Sequence, residues 1–178
     1  MRIIQILSTI AYGDAVSNDT IAMDKVIGNM GYSTRIYAES IVPPLDKKTA
    51  LNIDMLTDVA PEDIIIFHMS TGSRLNFDVA KYNCKKIVVY HNITPPEYFK
   101  NNDERFTKIC EYGLEGAKYL ADKVDYCLAV SEFNKQDLIN MGYKCDIDVL
   151  PIIIPMSDYD KKPDKNVIKE NSDDYINI

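Results

Sequence analysis

Two short apolar runs, DIIIFH and KIVVYH, each close on a histidine, and His68 and His91 are the two histidines of the 178-residue chain. Runs this short and this rich in Ile and Val read as strands buried on both faces, the pattern of a parallel sheet with helices packed above and below. A sheet of that kind obliges the chain to supply a helix between successive strands. In open α/β sheets ligands bind at the carboxyl ends of the strands, so the two imidazoles are aimed at one rim.

The rest of the chain meets that obligation. Strand-like segments are expected at residues 3–7, 33–37, 64–67, 87–90, 126–130 and 147–150, and helices alternate with them. A first helix is expected from about Ser17 or Asn18, with Ile21, Ala22, Val26, Ile27 and Met30 on one stripe and Gly31 as its stop. A second should cover residues 74–82, and a long one residues 103–122, its face made by Ile109, Leu114, Ala117, Leu120 and Ala121 and weakened locally by Gly113 and Gly116. The last should run over 132–141, closed by Gly142. Residues 42–60 carry no clear period. The expected fold class is α/β: a Rossmann-like, doubly wound, mainly parallel sheet with helices on both faces.

Composition removes several functional classes. With 46% hydrophobic and 26% charged residues the chain has the make-up of one globular domain. A net charge of −7, with basic residues only in isolated pairs such as Lys47/Lys48, Lys85/Lys86 and Lys161/Lys162, argues against nucleic acid as a partner. Cys84, Cys110, Cys127 and Cys145 form no CxxC spacing, so they are expected to be reduced structural thiols of a cytoplasmic protein, and no metal site is read. The opening MRIIQILSTIAYGD is too short for a membrane span and lacks a signal-peptide cleavage region.

Candidate chemistry gathers at the strand ends. The turn STIAYGDAVSNDTIAM contains Gly13 and opens a helix capped by Ser17, Asn18 or Asp19. Free N–H groups there, beside a glycine, suit an anion, and a helix cap explains the same residues equally well. The pattern is neither GxGxxG nor GxxxxGK[ST]. In HMSTGSRL, Ser70 and Ser73 precede a helix with Arg74 in its first turn, suited either to capping or to a polyhydroxylated or anionic ligand. In YHNITPPEYF, Pro95 and Pro96 hold the loop extended, so His91 stands on a rigid shelf with Tyr98 and Phe99 beyond it. Ser131 and Glu132 open the last helix, where capping and the helix dipole account for both. No GxSxG elbow is present.

Taken in order, YGDAVSNDTIAM, IIIFHMSTGS, VVYHNITPPEYF, CLAVSEFNKQDL and VLPIIIP resemble the N-terminal half of a GT-B glycosyltransferase of the group 1, or GT4-like, family, over residues 1–155. The polar stretch 156–173 then resembles that family's interdomain linker, and 174–178, YINI with its preceding Asp, the opening of a truncated C-terminal domain. The resemblance implies an acceptor-binding domain facing a second domain that holds a UDP- or GDP-linked sugar, with retained anomeric configuration and neither metal nor other cofactor. It implies His91 as the catalytic group, near the transferred sugar or the leaving phosphate. Gly13, Asp14 and Asn18 would face the donor diphosphate, and His68, Ser70, Ser73, Arg74 and Asn92 the acceptor, with Ser131 and Glu132 as weaker carry-overs.

The acidic EX7E-type motif and the basic donor grip of that family are missing from this sequence, so residues 1–178 alone are expected to lack robust transfer. The partners implied are a sugar or glycan acceptor and a nucleotide-sugar. Localisation is expected to be cytoplasmic, with peripheral attachment at the inner membrane as the variant; residues 103–122 carry more acid than base, which does not favour an anionic membrane. Two alternatives stand beside this expectation: a complete carbohydrate- or nucleotide-binding module without chemistry, and a flavodoxin-like or receiver-like domain. The latter suffers from strands that end in no acidic cluster.

Overall fold

The computed structural model describes residues 1–154, 156, 160, 162–170 and 172. Its strands are β1 (Arg2–Ile10), β2 (Ser33–Ile41), β3 (Leu51–Asn52), β4 (Ile64–Met69), β5 (Lys85–Tyr90), β6 (Tyr126–Ala129) and β7 (Ile147–Val149). Its helices are α1 (Ala15–Asn29), α2 (Leu75–Asp78), α3 (Glu104–Leu120), α4 (Glu132–Met141) and α5 (Lys165–Glu170). The strands form one seven-stranded sheet in the order β3-β2-β1-β4-β5-β6-β7, parallel at every pairing. The protein therefore has the α/β, Rossmann-like doubly wound fold that its apolar runs require.

The alternation of side chains along each strand divides the core between two faces. Ile65, Phe67, Val88 and Tyr90 point to one face and pack with Leu75 of α2, Cys110, Ala117 and Leu120 of α3, and Leu138 of α4. Ile66 and Val89 point to the other, against Met23 and Ile27 of α1. Each such side chain removed from water contributes about 1.5–3 kcal/mol before entropy is charged. At the start of the sheet the Asp63 carboxylate accepts from Arg2 N at 2.6 Å, Arg2 Nε at 3.1 Å, Arg2 Nη2 at 2.6 Å and Ala60 N at 3.0 Å, which pins β1 beside β4. The Arg2 side-chain hydrogen bond holds that carboxyl down to about 2.

Several expectations about the helices change. α1 begins at Ala15, because the cap is Asp14: its carboxylate accepts from Ser17 N at 2.8 Å and Ser17 Oγ at 2.7 Å. The buried face of α1 is Ser17, Asp19, Thr20, Met23 and Ile27, whereas Val26 and Met30 of the expected stripe are exposed. The end of α1 nearest the rim thus turns polar groups inward. Gly113 and Gly116 are packing positions rather than weak points: a β-carbon on Gly113 would lie 2.8 Å from Gly72 N, and one on Gly116 would lie 2.4 Å from Asn76 Cβ. These glycines let α3 approach the β4–α2 loop and α2 at backbone distance.

The second helix is shorter than expected, α2 passing into a 3-10 turn at Val79–Lys81. β1 and β2 run further than expected, and residues 42–60 contribute β3 to the edge of the sheet. α4 and its left-handed Gly142 cap fall where the sequence places them. Within the expected linker the fully exposed helix α5 forms. The strand expected over 174–178 lies outside the described residues. Among the described residues no helix is long and apolar enough to cross a membrane.

Candidate functional site

The chain steps outward from β1 to β2 and β3, then returns to the other side of β1 with β4. The reversal opens a crevice between the carboxyl ends of β1 and β4, where ligands of doubly wound sheets bind. The loops after β1, β4 and β5 converge there.

The centre of this rim is a buried chain of polar groups. Gln5 pairs with Ile66 across the β1–β4 ladder, so His68, two residues further along β4, lies on the same face as Gln5. His68 pairs with Val89 on β5, and His91 follows two residues beyond it. The result is a diagonal of Gln5, His68 and His91. His68 Nε2 lies 2.9 Å from Gln5 Oε1, and His68 Nδ1 lies 3.1 Å from His91 Nε2, with the ring centroids 5.4 Å apart and the ring planes inclined at 27°. Gln5 Nε2 reaches Asp24 Oδ1 at 3.2 Å, and the same oxygen accepts from Thr34 Oγ1 at 2.7 Å.

α1 lowers a second acid onto the pair. Asp19 Oδ2 lies 3.7 Å from His91 Nε2, while Asp19 Oδ1 accepts from Ile153 N at 2.7 Å. Burial raises the Asp19 carboxyl above its ordinary range. It also pushes His91 down to about 4, partly opposed by the charge of Asp14, and holds His68 well below its usual value, with His91 adding to the effect. Both rings are neutral at pH 7. The His91 side chain is only 1% exposed and among the described residues its Nδ1 atom has no hydrogen-bond partner, an uncommon condition for a buried polar atom.

The loop after β5 is held by its own residues. His91 N donates to Met69 O at 2.9 Å. The buried phenol of Tyr90 donates to Asn92 Oδ1 at 3.4 Å and accepts from Ile93 N at 3.3 Å. Asn92 takes φ 78°, a left-handed conformation that asparagine tolerates better than most residues. The expected proline shelf is a 3-10 turn at Pro96–Tyr98. Beside it opens a cavity of about 410 Å³ lined by residues that include Asn92, Pro95, Tyr98, Phe133 and Asp137.

Other sequence candidates have structural partners. Gly13 has φ 78°, the conformation that requires glycine in this turn. Asp14 spends its carboxylate on Ser17, and Asn18 is exposed with its N–H bonded to Asp14 O at 2.9 Å. The first turn of α1 thus already carries a carboxylate where a phosphate would sit. Arg74 is paired with Glu39 at 2.9 Å and Asp54 at 2.6 Å, so its charge is answered within the chain. Ser73 Oγ accepts from Leu75 N at 3.0 Å, and Ser70 is half-buried in the β4 loop. Ser131 caps α4 through Asn134 N at 3.2 Å, and Glu132 is exposed in its first turn.

His68 lies beneath the rim, 1% exposed, with its Nδ1 turned to His91 Nε2. Gln5 and Asp24 were missed, and Asp19 was read only as a possible helix cap. Gln5 carried a signal, as the single polar residue within the apolar run IIQIL. Asp19 and Asp24 had none, because acids in a helix ordinarily face water.

Asp19, His68 and His91 each offer a ligand atom within 4.8 Å of the others, a donor set that can meet a divalent cation. The hydrogen-bonding distance between the imidazole nitrogens is satisfied without one. No protein-family model matches the chain, and no curated protein matches it.

Proposed function

We infer that this chain is the N-terminal, acceptor-side half of a nucleotide-sugar-dependent, retaining glycosyltransferase. The observation that carries the reading is the convergence of the β1, β4 and β5 loops at the sheet's reversal point on a buried histidine whose Nδ1 has no hydrogen-bond partner among the described residues. The cavity walled by Tyr98 and Phe133, on the α3–α4 side of the sheet, offers aromatic surface for a sugar ring. The likeness of VVYHNITPPEYF and CLAVSEFNKQDL to group 1 enzymes directs the choice among sugar-binding functions.

In this reading His91 assists by hydrogen bonding to a sugar hydroxyl. The resemblance implies the leaving phosphate as the other group that His91 would approach. The donor is held by a second domain, and residues 1–178 contribute the acceptor cleft.

The test is sugar transfer by the native full-length protein from a panel of UDP- and GDP-linked donors, with His91→Ala beside it. Transfer by the wild type with a fall of about 10²-fold or more in the variant is expected. No transfer from any donor, together with saturable glycan binding by residues 1–178, would establish a binding module instead. Robust turnover by residues 1–178 alone would refute the division into halves.

A further inference from the structure

We propose that Asp24, Gln5 and His68 are positioning residues, a relay that holds His91 in its Nε2–H tautomer and leaves its buried Nδ1 as a bare lone pair. A part for His91 in sugar transfer rests on the glycosyltransferase reading; the relay itself does not.

The relay follows from donor and acceptor chemistry, one atom at a time. The Asp24 carboxylate can only accept, and its Oδ1 lies 3.2 Å from the Gln5 amide, so the NH₂ end of that amide must face it. Gln5 therefore turns Oε1 to His68 Nε2 at 2.9 Å, and an acceptor there places the ring hydrogen on Nε2. His68 is neutral in its buried site, so Nδ1 is a bare lone pair. That lone pair faces His91 Nε2 at 3.1 Å, and the bond between them is made only if His91 carries its hydrogen on Nε2. Asp19 Oδ2, 3.7 Å from the same nitrogen, favours that hydrogen electrostatically. One tautomer is left for His91, with Nδ1 unprotonated, and this is the atom without a partner.

The alternative use of the same atoms makes the opposite demand. A cation bound by Asp19, His68 Nδ1 and His91 Nε2 would need a lone pair on His91 Nε2 and so would place the hydrogen on Nδ1. The tautomer of one ring separates the two arrangements.

Because the chain has two histidines, ¹⁵N-histidine labelling of residues 1–178 reads both rings by long-range ¹H–¹⁵N correlation, with His91→Gln for assignment. At pH 7 both are expected to show protonated Nε2 and unprotonated Nδ1. Gln5→Met and Asp24→Asn are expected to turn the single His91 tautomer into a mixture while the backbone amide spectrum stays folded. Should Gln5→Met fail to fold, Asp24→Asn, at a half-buried helix position, carries the comparison alone. Protonated Nδ1 at His91, an imidazolium at pH 7, a tautomer switch on adding zinc at equimolar concentration, or unchanged tautomers in Asp24→Asn would each overturn the relay. None of these outcomes depends on transfer activity. In an active full-length enzyme, Gln5→Met should lower kcat with KM for the donor little changed.

Discussion

Gly72 and Gly113 meet backbone to backbone: a β-carbon on Gly113 would stand 2.8 Å from Gly72 N, and one on Gly72 would stand 2.0 Å from Ile109 O. The loop that follows β4 is thereby set against α3, and the position of the rim depends on two residues without side chains.

Gly72→Ala and Gly113→Ala should each destabilise the fold, by about 1–3 kcal/mol or more for Gly72, because backbone cannot yield as a side chain does. Gly28→Ala is the control. Its β-carbon would meet only Thr34 Cγ2 at 3.8 Å, and it should stabilise by about 0.5–1 kcal/mol through helix propensity. Urea midpoints at constant m-value check all three.

Stability should fall as pH drops from about 6.5 toward 4. His91 is held at about 4 in the folded protein against 6.5 unfolded, so over that interval the unfolded chain binds the extra proton. The loss amounts to roughly 3 kcal/mol at most from this residue. His68, also depressed by burial, adds in the same direction. Asp19, raised by burial, opposes both once the pH enters its own range, regaining stability as it protonates. Denaturation midpoints across pH 4–7 should slope upward, and His91→Gln should flatten them.

Asp63→Asn removes the charged acceptor of Arg2 and should cost about 1–3 kcal/mol at neutral pH. The wild-type contribution is present above the unfolded Asp range and disappears as pH falls through about 2, so the two proteins should converge in strong acid. Guanidinium unfolding at pH 7 and pH 2 tests the pair.

Asp14→Ala should destabilise α1 by about 1 kcal/mol with no ligand present, because its carboxylate caps the Ser17 N–H. Asp14→Ser should recover most of that loss. Thermal melts of the two variants check it, and a neutral Asp14→Ala would mean the carboxylate serves something other than the helix.

The strands were legible because burial on both faces leaves an unbroken apolar run, as in IIIF and IVVY, that few other structures tolerate. Gly142 and Ser131 were legible for a local reason: a left-handed stop and an oxygen cap act within one turn of the residue that needs them. α1 misled because a stripe at helical spacing says which residues share a face, not which face the sheet will take. Val26 and Met30 ended in solvent, and Asp19 and Thr20 inside, because the rim end of that helix closes over polar atoms.

By itself the sequence determined the class of sheet, the placing of both histidines at one edge, and the glycine of the first turn. These rest on local periodicity, chain length and backbone conformation. Only the tertiary structure decided that His68 is hidden while His91 Nδ1 is left without a partner, and that Arg74 is already answered by Glu39 and Asp54. It alone brought Gln5, Asp24 and His68 into one line, from positions as far apart in the chain as 5 and 68. A hydrogen bond is set by ångström distances between strands, and the register that supplies those distances is a property of the assembled sheet.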